Sequence, residues 1–488
     1  MDISQSLAHY ESQEVTEAGI RELLKSMEAN EGVSDLSLLT GASALQPQSL
    51  EASVVSLLFD ETYFKVLNRV AKAKEYSTLA EYTQRTSYGN FNRGGFVNQS
   101  ENPRQADPSF KRKVENIKFL RELWSVSSVL ASSRTITDPE IDAVDASTLR
   151  LMETAERGYF LGDSSIVPEE WNGLLATVKT YGTQDQIVDM RGETFTERIL
   201  KDNCKNIAQR GNGLANDMYM SYGVQNQIDN LLSGVNNQRY SQNDGTLTFD
   251  LGHIINGFKA TFAKNGRIDF VPDYFLNTEE EGVPTIQDTL GNIIEGATSD
   301  LSPATPAVSL NAGIGAQAGS KWLGTGSAPA GVVYQYRVSA RSRHGASKAS
   351  AIVAETPVIG SGIELTITDN SVSNFADAYD IYREVKTGPY AGTIKKMVTI
   401  AKDKINPTTV FIDLNLDLPG TSVAFLGDFN SRGADGPLRT TKVKELAPFH
   451  KTRYSIIGPY FWGAVNYYAT PVFYAPRKFV VFKNIGLE

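Results

Sequence analysis

A chain of 488 residues, 41% hydrophobic and 21% charged, is too long for one ordinary core and predicts two or more domains, excluding wholesale disorder and collagen-like structure. Its 47 Lys and Arg against 56 Asp and Glu give a formal charge of −9, opposite in sign to a protein that coats DNA, so any nucleic-acid contact must be local. The single cysteine, Cys204, excludes an intrachain disulfide and a thiolate-rich metal site, and no run approaches the ~18 apolar residues of a membrane-spanning helix.

The start, MDISQSLAHYESQEV, has neither a basic n-region nor an apolar h-region, which fits a reducing cytoplasm and no membrane anchor. No internal repeat is present. Residues 14–27 carry Val15, Ile20, Leu23, Leu24 and Met27 as a narrow apolar stripe. A helix of that kind cannot stand alone in water, so this region reads as an arm that docks on something. An apolar run follows from residue 50. Residues 77–88 then read as extended, residues 89–110 (GNFNRGGFVNQSENPRQADPSF) as a polar tip, and residues 113–130 as the returning limb. Two strands joined by so long a tip form a projecting hairpin that reaches a neighbouring molecule.

Asp138 before Pro139 and Glu140 signals a helix start. Ile141, Val144, Leu151, Met152, Ala155 and Tyr159 then share a face, giving a long one-sided helix that ends near Gly162. Thr194 with Glu197 spells a capping box for a second helix, whose apolar side holds Phe195, Ile199, Leu200, Cys204 and Ile207. A strand over 217–222 and a helix from Val224 to a stop at Gly234 continue the mixed α+β texture. From about residue 298 to 425 the texture changes to short alternating strands between turn residues, the signature of a β-sandwich. Val333, Tyr334, Tyr336 and Val338, followed by SKASAIVA, resemble a strand pair of fibronectin type III and related immunoglobulin-like domains, without a cysteine pair. Mixed sequence returns after about residue 427, so the sandwich reads as an insertion into a host domain.

The chemistry-bearing residues are sparse. His9, His253, His344 and His450 are scattered without ligand spacing, and Cys204 on an apolar helix face reads as a buried hydrophobe. The run NAGIGAQAGSKW ends in Gly319, Ser320 and Lys321, but Trp322 stands where a phosphate loop needs Ser or Thr; it reads as a linker. Glu279, Glu280 and Glu281 read as a solvated acidic loop, and Arg341, Arg343, His344 and Lys348 as a basic turn. Lys111, Arg112 and Lys113 on the returning limb have two readings: a charged edge that discourages strand pairing, or a salt-bridged contact to a neighbouring subunit.

The order of these elements resembles the major capsid proteins of tailed bacteriophages with the Hong Kong 97 fold, in particular those of large contractile-tailed phages that carry an immunoglobulin-like insertion. EYTQRTSYGNFNRGG through FKRKVENIKFL resembles the E-loop hairpin. SSVLASSRTITDPEIDAVDASTLRLMETAERGYFLGDSSI resembles the passage through the spine helix, residues 194–274 the axial domain, and APRKFVVFKNI the closing strand. The resemblance implies an N-terminal arm over 1–50, and a peripheral domain over 51–74 and 121–210 with the spine helix at 138–161. It implies the E-loop over 75–120, an axial domain over 211–297 and 427–488 with a closing strand of the peripheral domain, and an immunoglobulin-like sandwich over 298–426.

It further implies a structural protein without catalytic, cofactor or metal residues, which self-assembles into hexamers and pentamers of an icosahedral head around double-stranded DNA held without sequence specificity. Portal and decoration or auxiliary capsid proteins are the implied partners, with no membrane. The implied location is the virion capsid, assembled in the bacterial host cytoplasm. Lys111, Arg112 and Lys113 are the candidate inter-subunit contacts. Some relatives crosslink a loop lysine to a neighbour's asparagine, and no such residue set is matched here. Two other classes compete: a secreted or surface polysaccharide-acting enzyme with a fibronectin-like module, which needs paired carboxylates and a secretory signal, and a phage tail or adhesin protein.

Overall fold

The computed structural model describes residues 63–89, 98–100, 107–133, 137–236, 257–259, 267–288, 290–372, 374–429, 440–454 and 460–487. The chain divides into two units, residues 1–57 with 134–137, and residues 58–133 with 138–488. All but residue 137 of the first unit lies outside the described residues, as do the predicted arm, most of the hairpin tip, His9 and His253.

The second unit is built around the helix Pro139–Leu161, whose start is as the sequence predicts: the Asp138 carboxylate accepts from the Glu140 amide at 2.9 Å, with proline in the first turn. Leu151, Ala155, Tyr159 and Phe160 are buried along it, whereas Ile141, expected on the same face, is exposed. The helix ends where Gly162 donates to Gly158. A Cβ on Gly162 would stand 2.7 Å from the carbonyl oxygens of Gly158 and Trp171, so only glycine allows the chain to close this tightly.

Beneath the helix lies a four-stranded sheet in the order Ala71–Lys74, Thr441–Arg453, Tyr460–Phe473, Lys118–Ser127. Two polar ties hold helix and following loop to this sheet. The Tyr159 hydroxyl meets Thr441 Oγ1 at 2.6 Å, and the Trp171 indole donates to the Ala469 carbonyl at 2.8 Å. Residues 113–130, predicted as one extended limb, divide into three pieces. Ser109–Asn116 pairs with Leu79–Ser87 in the hairpin, Lys118–Ser127 joins the four-stranded sheet, and Ser128–Ser132 is helical. The break falls at Ile117, which is buried with Ala80, Tyr82 and Val472 and pins the hairpin's base.

A second, six-stranded sheet runs Ile187–Asp189, Phe479–Ile485, Ser422–Gly427, Asp217–Met220, Arg267–Pro272, Gly257–Lys259. Its helix Glu197–Gly211 is capped by Thr196, whose side chain accepts from the Ile199 amide, and not by Thr194. Leu200, Cys204 and Ile207 are buried as expected, with Phe195 packed just before the helix. The next helix, Tyr222–Asn236, passes through the predicted stop at Gly234. Residues 422–426 were expected to close the sandwich. They pair instead with both Phe479–Ile485 and Asp217–Met220 at the middle of the six-stranded sheet. The long hairpin 441–473 likewise belongs to the sheet under the helix, whereas only the final strand Phe479–Ile485 enters the six-stranded one.

Between Arg267–Pro272 and Ser422–Gly427 the chain forms two further antiparallel sheets with a shared core. One holds Ala307–Asn311, Ile363–Thr368 and Thr408–Asp413; the other holds Gly345–Ala346, Tyr334–Ser342, Ala378–Glu384 and Ile394–Ala401, with Val353–Glu355 paired to Tyr334–Ser342. Period-2 burial drives this, with Tyr334, Tyr336, Val338 and Ala340 from one sheet facing Ile363, Leu365 and Ile367 from the other. Trp322, expected in a linker, is fully buried in this core and donates its indole N–H to the Asp413 carbonyl at 3.0 Å. Val333 is exposed and lies just before the strand that holds Tyr334, Tyr336 and Val338.

Candidate inter-subunit surfaces

The three candidate residues sit on one limb of the hairpin but face different surroundings. Arg112 forms an ion pair with Glu81 on the opposite limb. Lys113 lies over the ring of Tyr181 with its ammonium 3.5 Å from the ring centre, and burial together with Lys111 lowers its affinity for a proton. Lys111 is exposed and forms no ion pair among the described residues. Arg112 and Lys113 thus have partners within their own subunit, while Lys111 and Arg112 are both exposed.

The hairpin's outward chemistry is as much apolar as charged. Leu79, Phe110 and Val114 are large hydrophobic residues left exposed on a two-stranded ribbon with no layer over that side among the described residues. The same exposure continues onto Lys118–Ser127, an edge strand whose Trp124 and Val126 are buried while Phe119 and Leu123 are each 59% exposed. The adjoining short helix adds Val129, 77% exposed, and Leu130. Sequence reasoning missed this surface. The signal was available in FLRELWSV, where both alternating phases of one strand are apolar, a pattern that needs cover on both faces.

The acidic triplet is not a solvated loop. Glu279 is buried, with its carboxyl held up the pH scale first by burial, near the hydroxyls of Ser221 and Ser422. Glu281 forms ion pairs with Arg157 on the long helix and, at 3.5 Å, with Lys396 of the sandwich. Lys396 also reaches Asp380 at 3.1 Å. In the basic turn, Arg341 pairs with Glu170 at 2.7 Å and the Arg343 guanidinium donates to His344 Nε2 at 3.1 Å. These charges hold the sandwich to its host and form no convergent anion site.

Among the described residues, no group of three or more His, Cys, Asp and Glu side chains is placed to hold a metal ion. No described helix is long and apolar enough to cross a membrane. Burial pushes the Cys204 thiol up to about 12, far from a reactive thiolate.

No family model matches the chain. It is 23% identical over 452 residues to the major capsid protein of Staphylococcus phage S25-3, covering 91% of this chain and 90% of that protein. The same identity and coverage hold for the major capsid protein of Staphylococcus phage K. Against the putative major capsid protein of Enterococcus phage phiEF24C it is 22% identical, with 91% of each chain covered. The likeness covers about nine-tenths of each molecule. The chain is a phage major capsid protein. As such this capsid protein is a structural component of the virion, and it is no enzyme. Similar solved structures include the capsid of the native GTA particle, with a TM-score of 0.43, 9% identity, and coverage of 93% of this chain and 100% of that one. Mycobacterium phage Bobi follows with 0.41, 8%, 92% and 99%.

Proposed function

We propose that this capsid protein assembles with copies of itself into the hexamers and pentamers of an icosahedral head with the Hong Kong 97 layout, enclosing double-stranded DNA without reading its sequence. In this reading residues 1–50 are the N-terminal arm and the hairpin Leu79–Ser87 with Ser109–Asn116 is the E-loop. Pro139–Leu161 is the spine helix of a peripheral domain that includes the four-stranded sheet. The six-stranded sheet is the axial domain, and residues 298–421 form the inserted immunoglobulin-like domain. Portal and decoration or auxiliary proteins are the further partners, and assembly takes place in the bacterial host cytoplasm.

The observation that carries the reading is the uncovered hairpin and edge strand. Leu79, Phe110, Val114, Phe119 and Leu123 are exposed in the subunit, and a subunit that gains stability from its siblings leaves such surface to be buried between copies. Lys111, the exposed member of its triplet without an ion pair among the described residues, is the proposed inter-subunit contact, with Arg112 and Lys113 shaping the limb that presents it. The insertion reading is supported by the sandwich's separate core and by its place between two strands that both pair with Asp217–Met220. Sedimentation and electron microscopy of the purified full-length protein test the proposal: capsomers or closed shells are expected, and a stable, compact monomer at high concentration overturns it.

A further inference from the structure

The long helix and the six-stranded sheet each contribute a carboxyl group to one dry site. Glu156 is fully buried and its carboxylate accepts three backbone N–H bonds, from Lys65 at 2.8 Å, Val66 at 2.5 Å and Leu67 at 2.9 Å. Those amides begin the turn Val66–Arg69, so Glu156 fixes the stretch of chain that leads into the hairpin. Asp273 is also fully buried and lies just past Arg267–Pro272. Its Oδ1 caps the turn Tyr274–Leu276 by accepting from the Phe275 amide at 2.9 Å. Its Oδ2 is reached by no donor, and the polar neighbour it meets is the Glu156 side chain. A carboxylate left that way in a dry site is costly, whereas a protonated one donates to Glu156 and completes both groups. The rings repeat the same contact, with Phe64 stacked on Phe275 at 4.9 Å and Tyr63 edge-on to Tyr274 at 5.9 Å.

We propose that Glu156 and Asp273 share one proton that locks residues 63–70, the root of the hairpin, to the long helix and to the turn 273–276, and that loss of this proton releases that root. The groups facing the pair are Lys65 from the root, Tyr159 from the long helix and Tyr222 from the start of the helix Tyr222–Asn236; only Lys65 brings a positive charge. Burial, then the Glu156 charge, pushes the Asp273 carboxyl up to about 8, so the lock opens in the mildly alkaline range. The sign follows from linkage. The folded site holds a proton that the unfolded chain has already lost, so the stabilisation is complete below the ordinary aspartate value and declines as pH rises toward about 8.

Hydrogen exchange on the full-length protein, read by mass spectrometry over peptides containing residues 65–67, tests this. Between about pH 6.5 and pH 9.5, after correction for intrinsic exchange, protection of these amides is expected to fall about tenfold in the unmodified chain. Asp273→Asn keeps an acceptor for Phe275 and places a permanent donor against Glu156, so its protection is expected to stay high and flat. Glu156→Gln gives a second, independent variant, in which the Glu156 charge is gone but the burial of Asp273 remains, so the fall is expected to shrink. Flat protection in the unmodified chain, or an undiminished fall in both variants, overturns the proposal.

Discussion

Arg383 and Asp413 meet at 2.6 Å in the centre of the sandwich, one from each sheet, with side chains 0% and 2% exposed. The guanidinium also donates to Asn415 Oδ1 at 2.9 Å and lies 5.0 Å from the Trp322 ring, and the Tyr336 hydroxyl donates to the same carboxylate at 2.8 Å. A buried charge is tolerated there because carboxylate, amide and ring answer the guanidinium's two terminal nitrogens, leaving only its Nε–H without a partner. Asp413→Ala leaves the arginine unpaired and is expected to cost about 3–5 kcal/mol in sandwich stability, read by chemical denaturation. Replacing both partners by apolar residues of matched volume is expected to recover most of that loss.

The hairpin separates folding from assembly. Phe110 and Val114 are exposed in the subunit, so Phe110→Ser with Val114→Ser is expected to change subunit stability by no more than about 0.5 kcal/mol per site. Shell or capsomer formation, followed by sedimentation, is expected to fall sharply. Unimpaired assembly would show that these side chains meet no neighbour.

The end of the sandwich has a sharp boundary. Removing residues 299–426 and joining the ends also removes all but Gly427 of the strand Ser422–Gly427 from between its two partner strands, and is expected to yield no soluble protein. Removing residues 299–420 spares that strand and is expected to leave a folded host, checked by circular dichroism and thermal melting.

Gly463 lies against Trp124, where an added Cβ would come within 2.6 Å of the ring and 2.3 Å of the Thr452 carbonyl oxygen. Gly463→Ala forces the sheet and the indole apart and is expected to cost about 1–3 kcal/mol, measured as a lower melting temperature.

Cys204 reports unfolding. Its thiol is fully buried and raised to about 12, so alkylation near neutral pH is expected to wait for opening of the helix Glu197–Gly211. Modification of the native protein at the rate of a free thiol would contradict its placement.

The sequence by itself determined the local devices. Asp138 and Pro139 start a helix whatever lies around them, Leu200, Cys204 and Ile207 mark its neighbour's buried stripe, and alternation in YQYRVSA and IELTIT specifies strands with one inward face. These signals sit within a few residues of one another, so short-range sterics and hydrogen bonding decide them. Tertiary structure alone decided the partnerships. Nothing local tells Ser422–Gly427 to pair with Asp217–Met220 across some 200 positions, or Glu281 to meet Arg157 and not water. Nor does spacing say that Trp322 belongs to a core, or that Glu156 and Asp273 share one dry site. Such choices depend on which surfaces the whole chain removes from solvent together, and that is a property of the packed molecule.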